Sequence, residues 1–90
     1  MYSCKTTVKN PTGLHARPAS EFITCAKKFV SKITAKNLTN SEDCNAKSIV
    51  MLLSLGLSQG TEVELTANGE DEKDAVDTLI ALIDAGFGEL

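Results

Sequence analysis

The stretch Gly13-Leu14-His15-Ala16-Arg17-Pro18-Ala19-Ser20 holds the only histidine of the chain, an arginine shortly after it, and then a proline. Pro18 suits a first helical position, where its missing N–H costs no hydrogen bond, so His15 falls at a loop-to-helix junction. The first N–H groups of a helix have no internal partner, and the aligned peptide dipoles leave partial positive charge there. Together these make a ready site for phosphate, with the backbone of Ala16 and Arg17 as donors. Arg17 adds a planar guanidinium that can grip phosphate oxygens with two hydrogen bonds. Histidine is a nitrogen nucleophile near neutral pH and forms covalent intermediates that can be passed on. Two readings stay open on these residues alone: a covalent phosphoryl carrier, and a static anion-binding α/β domain. A stand-alone catalyst has little machinery here, because no positioned base or metal cluster accompanies the histidine.

The elements that must hold this stretch follow from periodicity. Tyr2 to Val8 mixes β-formers with polar residues and ends at the turn signal Asn10-Pro11-Thr12-Gly13, which predicts a strand and a loop. From Arg17 the pattern is helical, with Ala19, Phe22, Ile23, Ala26, Phe29 and Val30 predicted on one apolar stripe. Ser31 to Asn37 alternates, with Ile33 and Ala35 on one side, as a half-buried strand does. Asn40 to Asn45 reads as a turn with at most a very short strand. Lys47 to Leu55 is an apolar segment with Ser48 as N-cap and Gly56 as stop, so a short helix is expected. Thr61 to Ala67 alternates Val63 and Leu65 against Glu62 and Glu64, a further strand. Glu70, Asp71 and Glu72 are predicted in the first turn of a last helix, where the dipole favours negative charge. Ala75, Val76, Leu79, Ile80, Leu82 and Ile83 form its apolar face, and Gly86 and Gly88 end it. The order β-α-β-(β)-α-β-α, with one-faced strands and helices, predicts an α+β fold of helices on one side of a mostly antiparallel sheet.

Composition sets the limits. Ninety residues fit one domain, 1–90, and 42% hydrophobic with 23% charged residues is ordinary for a globular chain. A net charge of −3 argues against nucleic acid as the main partner. Cys4, Cys25 and Cys44 are widely spaced with no C-x-x-C pair, so they read as free thiols of a reducing compartment rather than as zinc ligands. No signal peptide is visible, and no run of about 18 apolar residues exists to span a membrane. A cytoplasmic protein without a metal or other cofactor is expected.

The octet resembles the active-site signature of the HPr family, the histidine-containing phosphocarriers of the bacterial phosphoenolpyruvate:sugar phosphotransferase system. Lys47-Ser48-Ile49-Val50-Met51-Leu52-Leu53-Ser54-Leu55-Gly56 resembles the regulatory-serine signature of the same family. The element order is similar over nearly the whole chain to the family's open-faced β-sandwich, in βαββαβα order, with a four-stranded antiparallel sheet and three helices packed on one face. The resemblance implies that His15 accepts a phosphoryl group from phospho-Enzyme I and passes it to IIA domains of sugar permeases, while Arg17 stabilises that group. It further implies that Ser48 is modified by an HPr kinase/phosphorylase and that a catabolite-control regulator is a partner. A regulatory paralogue, serving nitrogen or catabolite control, is the alternative within the family, and a monomer is the expected state.

Docking surfaces can also be named. A short helix buries one stripe, here Ile49, Leu52 and Leu55, which leaves Val50, Met51 and Leu53 partly exposed as a partner-binding patch beside the phosphate site. By resemblance this face joins Ser20, Thr24 and Lys27 on the first helix. Lys27, Lys28 and Lys47 would supply local positive field. A phosphate on Ser48 would add about −1.5 to −2 charge beside this surface without unfolding the helix it caps, and so repel an acidic partner. Two features depart from the family: a slightly longer interval between His15 and Ser48, placed within Asn37 to Asn45, and the three cysteines.

Overall fold

A computed structural model describes residues 1–89. Its elements are β1 (Tyr2–Thr7), α1 (Ala16–Ala26), β2 (Lys32–Asn37), β3 (Glu42–Asn45), α2 (Ile49–Ser54), β4 (Glu62–Asn68) and α3 (Glu72–Asp84), followed by a single 3-10 turn at Gly86–Gly88. The strands form one antiparallel sheet in the order β1-β4-β2-β3. The chain thus has the expected α+β architecture, three α-helices over one face of a four-stranded sheet.

Alternation decides which face is covered. The register sets Cys4 opposite Leu65, Leu65 opposite Ala35, and Ala35 opposite Cys44, so one rung crosses all four strands on the helix side. Val63, Leu65 and Ala67 of β4 and Ile33 and Ala35 of β2 are buried there beneath Phe22, Leu52, Val76, Leu79 and Ile83. Each large apolar side chain so buried contributes about 1.5–3 kcal/mol. The next rung, Lys5, Glu64, Lys36 and Asp43, faces outward with alternating charge. Opposite charges on facing strands stabilise that open side in water.

Four local expectations are corrected. The apolar stripe of α1 stops early: the helix ends at Ala26, Phe29 is half-buried, and Val30 is 75% exposed. The reason is Asp71, whose carboxylate accepts the N–H groups of Val30 at 2.9 Å and Ser31 at 3.0 Å, together with the Ser31 hydroxyl. These bonds hold the chain in a turn that leads into β2. Glu70 and Asp71 consequently lie ahead of α3 rather than in its first turn, whose acids are Glu72 and Asp74. Ile49 is 38% exposed rather than buried, because the first position of α2 faces away from the sheet. Finally, α1 starts at Ala16, which places Pro18 inside the first turn and not at its first residue. A proline is tolerated there for the same reason, since its N–H would have no partner within the helix.

Candidate functional site

His15 is the N-cap of α1, in extended conformation (φ −128, ψ 159), and its ring makes no capping bond. The loop ahead of it is rigid by construction. Gly13 has φ +64, and a Cβ there would lie 2.5 Å from the carbonyl oxygen of Leu57, so only glycine fits. Its N–H donates to the Asn10 carbonyl at 3.1 Å, and the N–H of Leu14 donates to the same Leu57 oxygen at 2.9 Å. With the Leu14 side chain buried, the following residue is turned out to solvent. Ala16 has φ +51, a left-handed conformation costing an L-residue about 1–2 kcal/mol. This local strain sits between the two residues singled out for chemistry. His15, Ala16 and Arg17 are all exposed. The N–H groups of Ala16 and Arg17 have no acceptor among the described residues.

Arg17 is pulled toward the end of the chain. Its Nη1 pairs with Glu21 one turn along α1. Its Nη2 donates to the carbonyl of Phe87 at 3.0 Å and stands 3.4 Å from Oε2 of Glu89. Glu89 is itself fixed, because its Oε1 accepts from Asn10 Nδ2 at 3.1 Å and from the Thr12 hydroxyl at 2.8 Å. The bonds from Asn10 and Thr12, and then the charge of Arg17, hold the Glu89 carboxyl below the ordinary range. Glu21, Glu89, Phe87 and the buried Asn10 are members of the site that sequence reasoning missed. Phe87 and Glu89 arrive from the far end of the chain, with Phe87 at φ +54 in the turn after α3. No local pattern announces that approach.

The second motif sits on α2. Ser48 is half-buried at the N-cap, and its Oγ accepts the N–H of Met51 at 3.3 Å. Val50 (70% exposed), Met51 (47%) and Leu53 (41%) leave an apolar face beyond it, joined by Ile49. Ser20, Thr24 and Lys27 are exposed along α1, which packs against α2. Of the three lysines expected to supply positive field, Lys27 and Lys28 are exposed, whereas the Lys47 amine is bound to the carbonyl of Phe29 at 2.6 Å.

The chain as a whole is similar to known proteins in sequence and in fold. The family model described as "PTS HPr component phosphorylation site" covers residues 2–85. The phosphocarrier protein HPr of Buchnera aphidicola is 43% identical over 79 residues, 88% of this chain and 91% of that protein. The crystal structure of HPr-C-His from Thermoanaerobacter tengcongensis superposes with a TM-score of 0.95 at 46% identity, covering 100% of this chain and 99% of that one. A multiphosphoryl transfer protein of Haemophilus influenzae is 45% identical over 84 residues, of which 92% of this chain and only 17% of the longer protein take part. The open-faced α+β sandwich is thus an architecture shared with HPr structures. The chain belongs to the HPr family of the phosphotransferase system, and its function is that of a phosphocarrier.

Proposed function

We propose that His15 is the phosphoryl acceptor, charged by phospho-Enzyme I and discharged to IIA domains of sugar permeases. The observation that carries this reading is an exposed histidine at the N-terminus of α1, flanked by the unpaired N–H groups of Ala16 and Arg17. A ring nitrogen attacks phosphorus, the new N–P bond forms as the donor's bond breaks, and the second transfer reverses the roles. The phosphoryl oxygens take the helix N–H groups as donors. Arg17 leaves Glu21 and Glu89 for the phosphate, exchanging carboxylate partners for a group of about −2 charge. The chain supplies positioning and charge, and its partners supply the rest of the chemistry.

Ser48 is the regulatory position in this reading, the target of an HPr kinase/phosphorylase, with a catabolite-control regulator as a further partner. A phosphate there keeps an acceptor at the N-cap while placing charge beside Val50, Met51 and Leu53. Ser20, Thr24 and Lys27 complete the docking surface. The three free thiols suit a reducing compartment such as the cytoplasm. The test is reconstitution: Enzyme I, phosphoenolpyruvate and a IIA domain should phosphorylate the IIA domain only when this chain is added. Transfer at the same rate without it would overturn the reading.

A further inference from the structure

The apolar face of α2 has two carboxylates beside it on β3, Glu42 and Asp43, and their chemistry identifies what must dock there. Glu42 opens β3 and shares a strand face with Cys44, the side covered by α2, while Asp43 between them faces outward opposite Lys36. Glu42 and Asp43 line a small depression of about 180 Å³ together with Cys44, Val50, Met51, Ser54 and Leu55. Leu55 and Cys44 at this depression are buried, and Val50 and Met51 are exposed, so the hollow is apolar with the exposed carboxylates of Glu42 and Asp43 at its rim. Neither Glu42 nor Asp43 takes part in an ion pair among the described residues. At the other end of α2 the Lys47 amine is already committed to Phe29. The docking face therefore presents two free carboxylates on this flank, and of these Glu42 is the one on the strand face that α2 covers.

We propose that Glu42 is a specificity-determining residue which selects partners carrying a lysine or arginine beside their own apolar docking patch. The aliphatic stem of such a side chain lies over Val50 and Met51 in the hollow, and its cationic head reaches the Glu42 carboxylate. Long basic side chains bury their stems along apolar surface while keeping the head in water, which this hollow permits. Charge placed at the rim of an interface sets partner choice and association rate more than total affinity. The proposal rests on the reading of α2 as the docking face, and it adds the chemistry the partner must show.

The experiment measures kcat and KM of this chain as substrate for Enzyme I, and as donor to a IIA domain, both from the same organism. Four variants are compared with the wild type: Glu42→Lys, Glu42→Gln, Glu42→Asp and Val50→Asp. Glu42→Lys should raise KM about tenfold for at least one partner with kcat unchanged, Glu42→Gln should raise it less, and Glu42→Asp should restore it. The effect should shrink as salt is raised. Val50→Asp tests the underlying docking reading, since charge in the patch should raise KM for both partners. If Val50→Asp changes neither KM, the docking face itself is misplaced. If Val50→Asp is damaging while Glu42→Lys leaves both partners unchanged or binds them more tightly, the docking face stands and the role of Glu42 is overturned.

Discussion

Arg17 and Glu89, 72 residues apart in the chain, meet with Nη2 and Oε2 3.4 Å apart beside His15. In the unphosphorylated protein the guanidinium is thus shared among Glu89, Glu21 and the Phe87 carbonyl. It is held near the site but has to exchange partners to serve a phosphate. Arg17→Ala should lower kcat/KM for phosphoryl transfer by about 10- to 100-fold, and Arg17→Lys by less, because charge survives while the two-pronged grip is lost. Transfer kinetics with Enzyme I would check this, and an Arg17→Ala variant with normal kinetics would remove Arg17 from the site.

Gly13 fixes the loop from which His15 projects. Gly13→Ala should lower stability by about 1–3 kcal/mol, since the new Cβ meets the Leu57 carbonyl and the backbone is left-handed. Denaturant unfolding of the variant measures the loss, and stability equal to wild type would show that the loop can shift freely.

Asp71 links the turn after α1 to the start of α3. The Ser31 hydroxyl, then the Val30 N–H, hold its carboxyl below the ordinary value. Because the folded pKa lies below the unfolded one, the stabilisation is fully present above about pH 4 and is lost as pH falls through the folded value. The gap in unfolding midpoint between wild type and Asp71→Asn should therefore be widest near about pH 6 and narrow on acidification. A gap that stays constant with pH would contradict this account.

Ser48 can be tested for capping and charge separately. Ser48→Ala should cost about 1 kcal/mol, the worth of an N-cap. Ser48→Asp keeps an acceptor for the Met51 N–H, so its stability should stay within about 0.5 kcal/mol of wild type while docking weakens several-fold. Thermal unfolding and KM for Enzyme I, read on both variants, separate the two effects. If Ser48→Asp docks like wild type, charge at this cap does not gate the surface.

The residues that were legible in the sequence share a reason: their partners lie within a turn or two of them. His15, Ala16 and Arg17 are consecutive, Ser48 caps its own helix, and the alternation of Ile33, Ala35, Val63 and Leu65 reports directly on the covered sheet face. What stayed hidden depends on distant contacts. Glu89 reaches the site only because Phe87 turns the chain back after α3. Val30 continues the apolar period of α1 in sequence, yet Asp71, 41 residues on, captures its N–H and ends that period in space. Ile49 counts as part of an apolar stripe until the angle of α2 against the sheet decides which side faces in.

The most direct test of the central claim is the intact mass of the protein after incubation with phosphoenolpyruvate and purified Enzyme I, wild type against His15→Ala. The account expects one added phosphate on the wild type, lost on mild acid treatment, and none on the variant. An acid-labile phosphate retained by His15→Ala, or no phosphate on the wild type with an active Enzyme I, would contradict it.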